Sequence, residues 1–214
     1  MKLQNIDYSL YLVTDRGLAQ DRSTLDIVQA AVSGGVTCVQ LREKDCSTRE
    51  FIEQALAIKD ILKTREVPLI INDRLDVALA VAADGVHLGQ SDMPLETAQK
   101  IAGPAMLIGI SAESVQEAVE AEKGGADYLG VSPIYATPTK IDTAPPLGLE
   151  GLREIRQRVK IPLVGIGGLN ISNAAEVIRH GADGVAVVSA IVAAADPATS
   201  AMNLKQIITE ARNS

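Results

Sequence analysis

Aromatic residues are nearly missing from this chain, which has one Phe, four Tyr and no Trp among 214 residues. That scarcity argues against stacking nucleobases on aromatic platforms. It also predicts a core of Val, Ile, Leu and Ala, side chains suited to the interior of a parallel barrel or doubly wound sheet, where strands are buried on both faces. Cysteine is almost as scarce. Cys38 and Cys46 have neither C-x-x-C spacing nor matching histidines, so they read as unpaired thiols of a reducing cytoplasm rather than a disulfide or zinc framework. No apolar run reaches the ~18–20 residues of a membrane span, the stretch 184–195 being short and rich in Gly and Ala. Residues 1–15 carry one Lys and two Asp around a β-like run, which is not the pattern of a signal peptide. Positive charge is also in deficit: the formal net charge is −7. Bulk attraction to nucleic acid is thereby disfavoured, and any anionic ligand needs the basic groups gathered in one place.

With 47% hydrophobic and 22% charged residues, the composition is that of a soluble globular protein, and low complexity and disorder are excluded. Strand-like runs are read at 10–14, 38–41, 68–72, 85–88, 107–111, 128–131, 163–166 and 184–188. Helical spacing fills the gaps, as in Phe51, Ala55, Ile58 and Leu62, giving eight helical stretches. Thr24, Ser47, Ser114 and Asn170 or Ser172 stand where N-caps are expected. Strict alternation without hairpin signals implies a parallel sheet. A weak repeat sharpens this: Thr37, Asp84, Asp127 and Asp183 each follow a helix-ending Gly or Ala segment and open a strand, at intervals of 47, 43 and 56 residues. Four βαβα quarters close a (β/α)8 barrel, a TIM barrel, so residues 1–214 are read as one catalytic domain.

Chemistry in this fold belongs at the C-terminal ends of the strands. Alternation along Gln40-Leu41-Arg42-Glu43-Lys44 turns Gln40, Arg42 and Lys44 inward, where the two cations form a phosphate clamp, against the plainer reading of surface charge. Asp73 and Asp92 follow the third and fourth strands, and adjacent strand ends would bring them together. Two carboxylates ~4 Å apart repel by ~4 kcal/mol at an effective dielectric of ~20, which calls for a shared proton or a cation, and Mg2+ is the cation expected of hard oxygen ligands beside a phosphate. Helix capping is the alternative for both, and the spacing leaves it open. Ser111 projects into the mouth over a floor kept open by Gly109, as a hydrogen-bond donor or as a helix cap. Residues 132–148 form the longest loop, with Thr137, Thr139 and Lys140 as anion donors, or serve as a connector. Gly167-Gly168 and Val188-Ser189 follow the last two strands, where this fold often binds phosphate on backbone N–H groups. His87 and His180 show no partner in the sequence and read as structural. Two anion sites in one mouth suit an enzyme that joins two phosphorylated small molecules and releases diphosphate.

The runs 11–15, 40–44, 72–74, 85–90, 137–140, 165–168 and 188–189 resemble thiamine phosphate synthase over nearly the whole chain. The resemblance implies a barrel that couples 4-amino-2-methyl-5-(diphosphomethyl)pyrimidine to a thiazole phosphate. Gln40, Arg42, Lys44, Asn72, Ser111 and Lys140 would then contact the pyrimidine diphosphate. Asp73 and Asp92 would ligate Mg2+, while Thr137, Thr139, Gly168, Val188 and Ser189 would bind the thiazole phosphate. Catalysis would fall to Arg42, Lys44, Ser111 and Lys140, in the cytoplasm, with small-molecule substrates and neither nucleic acid nor membrane as partner. Glu113 stands where relatives often have His, and Ser132 where Gly is common. Two rival readings are a thiazole tautomerase and a non-catalytic barrel that binds a thiamine precursor. Neither has use for a leaving-group metal. The sequence leaves the oligomeric state, including a homo-oligomer, open.

Overall fold

The computed structural model describes residues 6–136 and 145–213. Eight parallel strands close on themselves in sequence order. They are β1 (Leu10–Val13), β2 (Cys38–Leu41), β3 (Leu69–Asn72), β4 (Gly85–Leu88), β5 (Leu107–Ala112), β6 (Tyr128–Val131), β7 (Leu163–Ile166) and β8 (Gly184–Val187). Between and after them run α1 (Thr24–Ser33), α2 (Thr48–Lys63), α3 (Leu75–Ala80), α4 (Leu95–Ala102), α5 (Val115–Lys123), α6 (Gly148–Arg158), α7 (Ala174–Arg179), α8 (Ser189–Val192) and α9 (Pro197–Arg212). One expectation needs amendment: two helices follow β8, the single-turn α8 and then α9, which packs against α1 and α7.

The predicted repeat has a physical basis at the base of the barrel. Thr37 Oγ1 accepts the Leu10 N–H at 3.1 Å, and Asp84, Asp127 and Asp183 carboxylates accept those of Leu69, Ile108 and Leu163 at 2.8, 2.7 and 2.8 Å. Each of the four also donates its own N–H to the carbonyl of the residue it caps. An N–H in the first two residues of each odd strand is thus satisfied by the residue just before the next strand, four times around the ring.

Alternation sorts the core into two compartments. Leu12, Val39, Leu41, Ile71, Val86, Leu129 and Val185 face the helices in an aliphatic shell, joined by Phe51, Ala55, Ile58 and Leu62 of α2. Inside the ring lie Tyr8, Tyr11, Val13, Cys38, Ile70, Leu107, Tyr128, Val164 and Ala186. The interior is therefore not purely aliphatic, since three of the four tyrosines sit there. Glycine makes the room. A Cβ on Gly109 would stand 2.2 Å from Tyr128 Cζ, so the gap expected above Gly109 is occupied by that ring.

Cap positions shift by a residue in places. Ser23, not Thr24, caps α1 by accepting the Asp26 N–H, and Ser47 forms a full capping box with Glu50 on α2. Ser114 caps α5 as expected. Asn173, not Asn170 or Ser172, stands at the N-cap position of α7, without a side-chain cap bond.

Barrel closure depends on Gly184, where an added Cβ would lie 1.8 Å from the Tyr8 carbonyl oxygen. Backbone cannot yield as a flexible side chain does. We expect Gly184→Ala to destabilise the fold by about 3 kcal/mol or more, read as a large drop in the urea midpoint. An unchanged midpoint would contradict this packing.

Candidate active site

At the C-terminal ends of the strands the barrel opens into a cavity of about 670 Å3. Ten of the residues singled out from sequence line it: Gln40, Arg42, Lys44, Asn72, Asp73, Asp92, Ser111, Gly168, Val188 and Ser189. Thr137, Thr139 and Lys140 lie outside the described residues.

One wall carries the charge. Arg42 Nη1 donates to Asp15 Oδ2 at 2.9 Å, and the Arg42 N–H donates to Thr14 Oγ1, so the end of β1 fixes both the backbone and the guanidinium of the residue after β2. Lys44 Nζ lies 2.6 Å from Asp73 Oδ2. Asp73 adopts a left-handed backbone, φ 61°, which Asp tolerates better than most residues. Its N–H donates to the His87 carbonyl at 2.8 Å, tying the end of β3 to β4.

Asp92 does not cap α4. Position N-cap there is Pro94, and the Asp92 carboxylate instead accepts the Gly89 N–H at 2.7 Å across its own turn. Asp73 does not cap α3 either, since Arg74 holds that position. Freed from capping, the two carboxylates meet each other. Burial pushes the Asp92 carboxyl up; the Gly89 N–H opposes that, Asp73 adds to it, and Lys44 relieves part of it. A juxtaposed, partly desolvated carboxylate pair suits a hard divalent cation. Among the described residues no group of three or more His, Cys, Asp or Glu forms a complete cage. Two carboxylates are the number that leaves room for water and phosphate oxygens around Mg2+.

The opposite wall is backbone. Gly167 and Gly168 have φ 104° and 65°, and Cβ atoms there would stand 2.8 Å from Pro133 Cβ and from the Ala136 carbonyl oxygen. Glycine is required on both counts, conformation and space. Glu113 and Ser132 also line the cavity.

Below the mouth runs a polar chain that sequence reasoning missed. Gln40 Nε2 donates to the Tyr11 hydroxyl at 2.9 Å, and the Tyr11 and Tyr128 hydroxyls are 2.8 Å apart. His87 Nδ1 is 3.0 Å from the Tyr128 hydroxyl, and His87 Nε2 is 3.0 Å from Ser111 Oγ. His87 therefore has partners, contrary to its reading as an unpartnered histidine. Ser111 is committed to this chain and caps no helix. Burial pushes the phenols of Tyr11 and Tyr128 well up, keeping both protonated. Asp15 was also missed as a site residue, although it continues the inward parity of Tyr11 and Val13.

The thiamine monophosphate synthase family model matches residues 10–191. The chain belongs to this family. Membership makes it a transferase of thiamine phosphate synthesis. It is 57% identical over 199 residues to the thiamine-phosphate synthase of Albidiferax ferrireducens, covering 93% of this chain and 91% of the relative. The thiamine-phosphate synthase of Chloroflexus aurantiacus is 55% identical over 204 residues, with 95% and 94% covered. Among solved structures, the thiamine phosphate pyrophosphorylase from Pyrococcus furiosus superposes with a TM-score of 0.90 at 44% identity, covering 96% of this chain and 98% of that one.

Proposed function

We propose that this family member joins 4-amino-2-methyl-5-(diphosphomethyl)pyrimidine to thiazole phosphate through loss of diphosphate. The observation that supports this most directly is charge segregation within one cavity. An acidic protein gathers Arg42, Lys44, Asp73 and Asp92 on one wall and presents glycine backbone on the other.

The bond from the pyrimidine methylene to oxygen breaks first, and diphosphate leaves with the electron pair. The aminopyrimidine delocalises the resulting cation until the thiazole nitrogen donates its lone pair to form the new C–N bond. Arg42 grips phosphate oxygens through its planar fork, and Lys44 and Lys140 add point charges. Ser111 donates its hydroxyl proton to the departing group, and Asn72 steadies the same substrate. Gln40 reads the edge of the pyrimidine. Gly168, Val188 and Ser189, with Thr137 and Thr139, hold the thiazole phosphate. Asp73 and Asp92 hold Mg2+, which when bound neutralises diphosphate charge. No side-chain nucleophile is needed; preorganised charge and positioning lower the barrier. We take residues 1–214 as one catalytic domain acting in the cytoplasm. Among the described residues no helix is long and apolar enough to cross a membrane.

The test is to incubate the purified chain with both substrates and Mg2+. Thiamine phosphate and diphosphate should appear in equal amounts, and omission of either substrate should abolish both. Rearrangement of the thiazole alone, or binding without turnover, would overturn the reading.

Asp15 enters as the group that aims Arg42. Asp15→Asn should lower kcat/KM for the pyrimidine diphosphate by about tenfold through misplacement of the guanidinium. The thermal midpoint should hardly move, because a partly exposed pair contributes only about 0–1 kcal/mol. Unaltered kinetics would remove Asp15 from the site.

A further inference from the structure

We infer that His87 is a positioning residue whose ring forces the Ser111 hydroxyl proton out toward the diphosphate, so that Ser111 serves there as donor only. The inference rests on the proposed diphosphate site and adds to it the buried chain that controls the donor.

Counting protons along the buried chain gives each bond its direction. Gln40 Nε2 carries only hydrogens, so the Tyr11 oxygen must accept from it at 2.9 Å. The Tyr11 hydroxyl also meets the Cys38 thiol, a weak acceptor, so its proton goes to the stronger Tyr128 oxygen, 2.8 Å away. The Tyr128 proton in turn goes to His87 Nδ1, 3.0 Å away. A neutral imidazole that accepts at Nδ1 carries its hydrogen at Nε2, and that hydrogen points at Ser111 Oγ, 3.0 Å away. Ser111 Oγ is thereby an acceptor inside the barrel, leaving its own proton for the mouth. Running the chain the other way would leave the Tyr11 proton only the weak Cys38 sulfur, since Gln40 presents amide hydrogens. One direction is thus favoured at every bond, and successive donors polarise the next.

Packing holds the ring in this pose. His87 is only 9% exposed. A Cβ on Gly130 would lie 2.9 Å from its Cε1, so the glycine on β6 opens the slot that seats the imidazole over Ser111. From the other side, the Gln90 amide donates to the Ser111 carbonyl at 2.6 Å and fixes the end of β5. Both ends of the chain, Gln40 and Ser111, line the cavity.

Two substitutions separate positioning from simple filling. The side-chain amide of His87→Asn reaches the place of Nδ1 and keeps a partner for Tyr128, but not for Ser111. That of His87→Gln reaches the place of Nε2 and restores an N–H to Ser111. We expect His87→Asn to lower kcat about tenfold with little change in KM for thiazole phosphate, and His87→Gln to recover most of the loss. In a Ser111→Ala background His87→Asn should cost less than about twofold, because coupled residues do not add. Equal losses in both backgrounds, or Gln no better than Asn, would overturn the inference. If His87→Asn fails to fold, Gly130→Ala displaces the same ring and enters the same cycle. A readout free of turnover is the 15N spectrum of the wild-type imidazole at mildly alkaline pH, where the chain has only two histidines. The Nε2–H tautomer is expected, and the Nδ1–H tautomer would overturn the assignment. Absence of diphosphate release by the wild type would instead refute the proposed reaction and leave the tautomer measurement standing.

Discussion

Arg42→Ala is expected to lower kcat by about 10²–10³-fold, the cost of removing one preorganised donor from a developing anion. Arg42 is poorly replaced by any other residue in this geometry. Its guanidinium is held by Asp15 at 2.9 Å, so the fork arrives already oriented and little rotamer freedom is lost on binding. Arg42→Lys retains the charge but not the two parallel donors, so it should recover only part of the rate. Lys140→Ala, outside the described residues, should fall as steeply. Folding should be spared in both Arg42 variants, because Arg42 sits at the mouth rather than in either core compartment. Near-normal turnover of Arg42→Ala, with the urea midpoint unchanged, would count against the clamp.

Asp92→Asn is expected to lower the rate at fixed Mg2+ by at least about 10²-fold, with partial recovery as Mg2+ is raised. The geometry also predicts the sign of a second effect. Asp92 and Asp73 are like charges pressed together, and burial adds to the cost of ionising Asp92. Asparagine keeps the oxygen that accepts the Gly89 N–H at 2.7 Å and removes the repulsion. Without metal, the thermal midpoint of Asp92→Asn should therefore hold or rise slightly, and Mg2+ with diphosphate should stabilise it less than the wild type. Loss of metal-free stability together with unaltered Mg2+ dependence would assign Asp92 a structural role instead.

Much of this was legible from local pattern. Alternation along five residues places Gln40, Arg42 and Lys44 on one wall, because a strand's parity continues a residue or two past its last ladder bond. The same parity from Tyr11 through Val13 marks Asp15, a signal present in the sequence but weaker, since a single acid after a strand is common. The repeat of Thr37, Asp84, Asp127 and Asp183 was visible as spacing, and its cause appears only when each side chain is seen to accept a strand-opening N–H. Capping and metal binding could not be separated for Asp73 and Asp92, because both readings need an acid just before a helix. Backbone conformation removes capping, since α3 and α4 begin at residues past either acid. The interior chain had no sequence signal. Its links join residues 29, 117, 41 and 24 positions apart, and no short pattern reports contacts across a barrel.

The central claim is that an acidic molecule concentrates cations, with a divalent ion, where diphosphate leaves. Calorimetric titration of inorganic diphosphate into the wild-type protein, with Mg2+ and then with Mg2+ chelated, tests it without any turnover. Saturable one-to-one binding that depends on Mg2+ and is lost in Arg42→Ala is the result expected. Equal binding with and without the metal, or binding that survives removal of Arg42, would contradict it.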